Sequence, residues 1–213
     1  MLKGKSKKFG SKSKISSDER HPANGLLVIL SAPSGCGKTS IVDRLLKRHA
    51  DWVRSVSVTT RAARSEEKEG EDYLFISAEK FRELERKGSF LESARVHGRD
   101  YGTPRENVFR YYENGKIVIL AIDVQGMVKV KEVLAGQYPL VTLFVLPPSL
   151  KILRERLEGR KTETAQDIES RLQVAELEIK QADLYDYTVV NHTLEQTVLE
   201  IETLIQKSHK ERS

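Results

Sequence analysis

The stretch SAPSGCGKTS at residues 31–40 follows five aliphatic residues, Leu26 to Leu30, and precedes Ile41, Val42, Leu45 and Leu46. No other feature of the chain constrains its fold so strongly. A short apolar run bounded by turn residues suits a buried strand, and the apolar positions after the loop recur at helical spacing. The loop therefore turns a buried strand into a helix. Gly35 and Gly37 tolerate the positive φ that such a curl demands. Backbone N–H groups gathered at a helix N-terminus make a nest for an anion. In this setting Pro33, Ser34, Gly35, Cys36, Gly37, Lys38, Thr39 and Ser40 read as a phosphate loop. Lys38 would reach the terminal phosphates of a nucleoside triphosphate, and the Thr39 hydroxyl would ligate Mg²⁺. The strict pattern G-x-x-x-x-G-K-[ST] fails at its first position, which is Ala32. A Gly-rich turn with an incidental lysine is the competing reading, and the strand-to-helix context argues against it.

The rest of the chain repeats the rhythm. KIVILAID (116–123), LVTLFVL (140–146) and YTVVN (187–191) read as further strands. Between and after them come helical patterns. One runs through Met127, Val130, Val133 and Leu134. A second carries Leu150, Leu153 and Leu157 behind Ser149 as N-cap. A third starts near Thr164 and buries Ile168, Leu172, Ala175 and Ile179. The last carries Leu194, Val198, Ile201 and Ile205. Aliphatic strands alternating with helices predict an α/β fold of P-loop NTPase type, a parallel sheet with helices on both faces. Residues 53–104 break this rhythm. VRSVSVTT, DYLFIS and SFLESARV look extended, and FRELERKG is a short helix ended by Gly88. They predict a small mixed β/α insertion (about 53–104) between core segments 24–52 and 105–207, with a polar end at 208–213.

Charge narrows the partners. Residues 1–20 hold seven basic and two acidic residues, a surplus that equals the whole net charge of +5. The basicity thus belongs to a Gly/Ser/Lys-rich tail, 1–23, which reads as disordered and solubilising rather than as a nucleic-acid surface. No apolar stretch is long enough to span a bilayer. Cys36 is the single cysteine. That excludes an intramolecular disulfide and fits a reducing, cytoplasmic compartment. Homo-oligomerisation is left open.

The insertion is where a second substrate would sit. Arg61 and Arg64, in TTRAAR, are three apart and could clamp a phosphate bidentately, with Tyr73 and Tyr101 as hydrogen-bond donors. An exposed basic loop is the plainer alternative. Glu92 lies inside an extended segment. A carboxylate accepts two hydrogen bonds at once, which matches the ring N–H and exocyclic amine of guanine, whereas adenine presents an acceptor there. Ser57 and Thr103 could donate to the guanine carbonyl. Alternatively, Thr103 heads T-P-R-E (103–106), a capping-box pattern. Asp123 ends an aliphatic strand, where an acid beside a phosphate loop can order Mg²⁺, or it is a turn aspartate before Gly126. Arg160 and Arg171 bracket a polar TET stretch that could close over the triphosphate; ordinary helix-surface charge is the competing reading.

Taken together, these motifs resemble the guanylate kinase family over nearly all of residues 24–207. SAPSGCGKTS is similar to the phosphate loop of its bacterial members, which often carry alanine at the first position. SVSVTTRAAR resembles the family's S-V-S-x-T-T-R-x-P-R. GEDYLFIS, FLESARVHGRDYGTP, IDVQG, LPPS, RKTET and YTVVN come in the family's order. The resemblance implies transfer of a phosphoryl group from ATP to GMP (and dGMP), with Mg²⁺, in three parts: core, GMP-binding insertion and a helical lid (about 154–172). It implies Arg61, Arg64, Tyr73 and Tyr101 at the GMP phosphate, and Ser57, Glu92 and Thr103 at guanine. Arg160 and Arg171 are implied as lid arginines acting with Lys38 and Arg64, and Asn191 as a lining of the adenine pocket. Three positions depart from the family. Ala121 stands where an acid is usual two residues before Asp123, Ala63 replaces the proline of the arginine turn, and His192 follows Asn191 in place of an aspartate. Two other functions stay in view: an inactive guanylate-kinase-like interaction module, and a P-loop kinase for another phosphorylated acceptor.

Overall fold

The computed structural model describes residues 25–64, 67–96, 98–159 and 164–212. The tail at 1–23, and Arg160 with the adjoining TET residues Thr162 and Glu163, lie outside the described residues.

The elements run β1 (Leu26–Ser31), α1 (Lys38–Arg48), β2 (Trp52–Arg54), β3 (Ser57–Thr59), β4 (Tyr73–Phe75), α2 (Ala78–Arg86), β5 (Phe90–Val96) and β6 (Arg99–Pro104). They continue with α3 (Arg105–Tyr112), β7 (Ile117–Leu120), α4 (Val124–Leu134), β8 (Leu140–Leu146), α5 (Leu150–Glu158), α6 (Ala165–Ile179), β9 (Tyr187–Val190) and α7 (Leu194–Arg212). Five strands form one sheet in the order β2-β7-β1-β8-β9, parallel at every pairing. The other four form a mixed sheet, β4-β3-β6-β5.

The central strand shows why the first sheet is parallel and covered twice. All six residues of β1 are buried. Leu26, Val28 and Leu30 pack with Ile41, Val42 and Leu45 of α1, Leu153 and Leu157 of α5, and Val198, Ile201 and Ile205 of α7. Leu27 and Ile29 face the other way, onto Val108 and Phe109 of α3 and Met127 and Val130 of α4. A strand with helices on both faces has no polar side to keep, so its sequence is aliphatic throughout.

Helix boundaries reflect local chemistry. The Ser149 hydroxyl accepts from the Ile152 amide at the start of α5. Thr164 opens α6 with a capping box closed by Asp167. On α4 the buried face runs through Met127, Val130 and Leu134, whereas Val133 is exposed. It sits about 100° round the helix from Leu134, off the i, i+3, i+7 stripe.

One expectation is corrected. The extended run VRSVSVTT is not a single half-exposed strand. Trp52–Arg54 pairs with β7 in the parallel sheet, and Ser57–Thr59 pairs with β4 and β6 in the mixed one. The chain leaves the first sheet after Ser55, whose amide still donates to Ile119 O. Asn107 Nδ2 of α3 then satisfies the carbonyl of Val56.

Candidate active site

β1 and β7 both end at the same edge of the parallel sheet, the edge where α/β folds place their ligands. A cavity of about 540 Å³ opens there. Its floor is the loop from Pro33 to Ser40. Ala121, Ile122 and Asp123, after β7, form one wall. Ser57, Arg61, Arg64, Tyr73, Glu92 and Tyr101 of the mixed sheet and its loops form another, and Arg171, Val174 and Glu178 of α6 close the side.

The loop owes its shape to two glycines. Gly35 and Gly37 have φ of +94° and +84°. A Cβ at Gly35 would also meet Leu157 Cδ2 at 2.9 Å, and one at Gly37 would meet Asn191 Nδ2 at 2.9 Å. The loop is thus pressed onto α5 on one side and pinned from behind on the other. Gly37 is the N-cap of α1, so the first N–H groups of that helix lack intrahelical partners beside the cavity. Lys38 crosses to the neighbouring strand end, its Nζ donating to Ile122 O at 3.1 Å. Burial lowers its pKa, and the negative charges of Asp123 and Glu178 oppose that shift. Thr39 and Ser40 line the cavity.

Two residues expected on the nucleoside triphosphate side, Cys36 of the loop and Asn191 of the last strand, do not line the cavity. Cys36 is fully buried in the core, and burial pushes its thiol up to about 12. Asn191 is buried too. Its amide donates to Cys36 O at 2.8 Å, and its carbonyl accepts from Thr197 Oγ1 at 3.0 Å. Its contact with the loop comes from behind, through the backbone.

In the mixed sheet Glu92 stands opposite Thr103, just past an irregularity in register between Phe90 and Glu92. Such a bulge breaks side-chain alternation and re-aims the side chains after it. Phe90, Leu91 and Glu92 are accordingly all buried in succession. Thr103 Oγ1 donates to Glu92 Oε1 at 2.6 Å. This settles the choice at Thr103: α3 has Pro104 at its N-cap with no side-chain cap, so the hydroxyl caps nothing. It also corrects the donor role. A hydroxyl has one proton, and that proton goes to the carboxylate. Thr103 is fully buried and does not line the cavity, so it bears on a ligand through Glu92, and Ser57, which does line it, is the hydroxyl with a proton to offer. The Glu92 carboxyl is raised from 4.5 to about 6, by burial first; Asp123 nearby raises it further, and the Thr103 bond and Lys129 lower it.

Asp123 does what the plainer reading expected and something more. Its Oδ1 accepts from the Gly126 amide at 2.8 Å, capping α4, and the residue also lines the cavity. A Cβ on Gly126 would lie 3.1 Å from Glu92 Oε2 and 3.2 Å from Asp123 Oδ1. Two carboxylates therefore converge on one helix N-terminus, whose dipole favours negative charge.

At the arginine turn, Arg61 is already engaged. Its Nη1 and Nη2 donate to Glu67 Oε2 and Oε1 at 2.7 and 2.8 Å, and Nη1 also donates to Ala62 O at 2.7 Å. Its Nε donates to Tyr101 OH at 3.2 Å. The expected bidentate grip of Arg61 on a phosphate is not available through the end of its guanidinium. Arg64 is different: its side chain is 57% exposed and 3.8 Å from Glu67. Across the cavity Arg171 Nη1 donates to Ser34 Oγ at 2.8 Å, tying α6 to the phosphate loop.

Sequence reasoning missed two acids. Glu178 lines the cavity, and burial raises it to about 7 despite the opposing pull of Lys38. Its signal was the seven-residue spacing from Arg171, which puts both on one face of α6. Glu67 was hidden in the charge run SEEKEGED. Its signal was an acid within reach of two arginines.

A family model described as guanylate kinase matches residues 24–208. A guanylate kinase of Anaplasma phagocytophilum (strain HZ) is 42% identical over 183 residues, covering 85% of this chain and 86% of the relative. One of Wolbachia sp. subsp. Brugia malayi (strain TRS) is 41% identical over 189 residues, covering 89% and 96%. A crystal structure of guanylate kinase from Anaplasma phagocytophilum superposes with a TM-score of 0.74 at 36% identity, covering 88% of this chain and 87% of that one.

Proposed function

The chain belongs to the guanylate kinase family, and from that premise we propose its reaction: transfer of the γ-phosphoryl group of ATP to GMP, with dGMP as a second acceptor, giving ADP and GDP or dGDP for purine nucleotide metabolism. The observation that carries the reading is a single cavity containing both Lys38 of the phosphate loop and the buried, hydrogen-bonded Glu92. A donor triphosphate at the first and a guanine at the second would bring two phosphates face to face between them.

The residues then divide the work. The triphosphate lies along 33–40, and Lys38 neutralises charge on the group in transit. Arg64, with Arg61, Tyr73 and Tyr101, takes the acceptor phosphate, whose oxygen forms the new P–O bond as the β,γ-bridging bond breaks. Glu92, held by the Thr103 hydroxyl from behind, accepts the ring N–H and one amine N–H of guanine, and Ser57 donates to the carbonyl. AMP would strand these groups unpaired. Arg171 leaves Ser34 for the transferred phosphoryl group, with Arg160 as its companion on the family pattern. Asn191 serves by holding the loop through Cys36 O. The oxygens of Thr39 and Asp123 suit Mg²⁺, a hard ion that takes one or two protein oxygens and completes its shell with phosphate and water. When bound, it supplies further charge neutralisation at the triphosphate. A buried thiol at Cys36 accords with a cytoplasmic, reducing setting. Among the described residues no helix is long and apolar enough to cross a membrane.

A coupled ADP-release assay with ATP and, separately, GMP, dGMP, AMP and a ribose phosphate tests this. Turnover with GMP and dGMP far above the others is expected. Equal turnover with the sugar phosphate would refute the guanine assignment, and none with any acceptor would favour an interaction module.

A further inference from the structure

Glu67 lies six residues after Arg61, and its carboxylate holds Arg61 by both terminal nitrogens. It also accepts from the Arg64 amide at 2.8 Å, closing the turn that carries both arginines. The pair is nearly out of solvent, with side chains 17% and 15% exposed. Glu67 does not line the cavity, whereas Arg61, Arg64 and Tyr101 do.

Arginine has five N–H donors in a fixed plane. Four are used here: two on Glu67, one on Ala62 O and one, Nε, on Tyr101 OH. Glu67 takes the two that point off the end of the guanidinium. Among the described residues, the one that remains is therefore on Nη2, on the same edge as Nε. Tyr101 OH accepts from that Nε, so its own proton is directed elsewhere. One N–H of Arg61 and the O–H of Tyr101 thus stand side by side as a composite fork. The aromatic rings of Tyr73 and Phe75, 5.3 and 5.7 Å from Arg61 Cζ, flank the guanidinium.

We infer that Glu67 is the positioning residue of the acceptor-phosphate site: by engaging the end of the Arg61 guanidinium from outside the cavity, it turns the side edge, joined with Tyr101, toward the phosphate and leaves Arg64 as the exposed cation. This rests on the proposed reading of the site as the seat of a nucleoside monophosphate. Glu67 acts through Arg61 and touches no substrate. Its charge also matters, because it cancels one of two adjacent positive charges and so keeps Arg61 from swinging out to meet an anion end-on.

The test is Glu67→Gln. The amide keeps one acceptor oxygen and sets an N–H₂ where the second stood, against an Arg61 nitrogen, so the two-oxygen anchor fails and Arg61 turns. Calorimetric titration with GMP, with guanosine and with inorganic phosphate separates the contributions. The expected result is GMP and phosphate binding weakened about tenfold or more, as for truncating one partner of a hydrogen-bonded charge pair, with guanosine unchanged. Glu67→Asp, which keeps the charge, recovers part of the loss. Unchanged or tighter GMP binding in Glu67→Gln overturns the inference, because Glu67 would then be only a competitor for the anion. Equal weakening of guanosine overturns it as well, by showing general damage. The acceptor reading fails separately: it falls if the wild type binds phosphate but neither GMP nor guanosine, and the phosphate titration of the variant still decides the role of Glu67.

Discussion

Glu92→Gln separates what the site does from what it costs the fold. The substitution keeps shape and the Thr103 bond but replaces one acceptor oxygen by a donor. Against guanine one hydrogen bond to a charged acceptor is lost, worth roughly 1.5–3 kcal/mol. That corresponds to a fall of about ten- to a hundredfold in kcat/KM for GMP. Discrimination against AMP shrinks, because the amide can donate to adenine's ring nitrogen. Stability moves the opposite way. The Glu92 carboxyl is raised from 4.5 to about 6, chiefly by burial. A raised pKa means that the folded state holds its proton more tightly than the unfolded chain. The associated stability is complete below pH 4.5 and is lost as pH rises through about 6. The shift amounts to about 2 kcal/mol, a penalty that glutamine does not carry. At pH 8 the variant should therefore melt higher, by about 4–8 °C for a chain of this size, and the gain should vanish near pH 4. The assays are steady-state kinetics with GMP and AMP, and thermal melts across that pH range. A variant with wild-type GMP efficiency and no gain in melting temperature at pH 8 would refute both the base contact and the cost of the buried charge.

The same geometry sets other outcomes. Lys38→Ala should lower phosphoryl transfer by orders of magnitude while the circular dichroism spectrum is retained, since among the described residues its side chain donates to Ile122 O, a single exchangeable bond at the cavity rather than a core contact; retention of most GMP-dependent ADP release would remove Lys38 from the role given to it. Thr103→Val deletes the bond that lowers the Glu92 pKa, so the acid limb of the kcat/KM profile for GMP should move to higher pH than in the wild type, and an unmoved limb would contradict the coupling. Ala135, the C-cap of α4, has a φ of +43°; Ala135→Gly should raise stability by about 1 kcal/mol, read as a shift in denaturant midpoint. The buried thiol of Cys36 should resist iodoacetamide in the native protein and react on unfolding, which mass spectrometry would show.

The parts legible in sequence were those whose physics is local. β1, β7 and β8 announce themselves because a strand buried on both faces is apolar at nearly every position. Ser149, Thr164 and Gly88 are read from a few neighbouring residues. What failed depended on partners far along the chain. The alternation in VRSVSVTT continues across Ser55 and Val56, so nothing local marks the change of sheet; Ile119 and Asn107 do. The capping pattern at Thr103 is sound locally, but Glu92, across the sheet, takes the hydroxyl. Arg61 and Arg64 look equivalent by spacing, and only the turn through Glu67 makes one an anchored edge and the other an exposed cation. Asn191 was found by its place in the family's order, but its contact with Cys36 O was beyond any reading of the strand alone.

The pairing order of the parallel sheet also says something about how the molecule comes to exist. β1 carries the phosphate loop, yet its neighbours are residues 117–120 and 140–146. During synthesis this strand, buried at all six positions in the finished fold, emerges early and must wait for both. The mixed sheet has no such delay, because β3 to β6 close among themselves within residues 57–104. Contacts of long sequence separation form slowly, and the surfaces awaiting them are open to aggregation. The nascent chain thus can complete its small sheet while LLVIL stays exposed; β8 closes the second edge of the strand, and its Leu26, Val28 and Leu30 face is covered only when α5 and α7 follow.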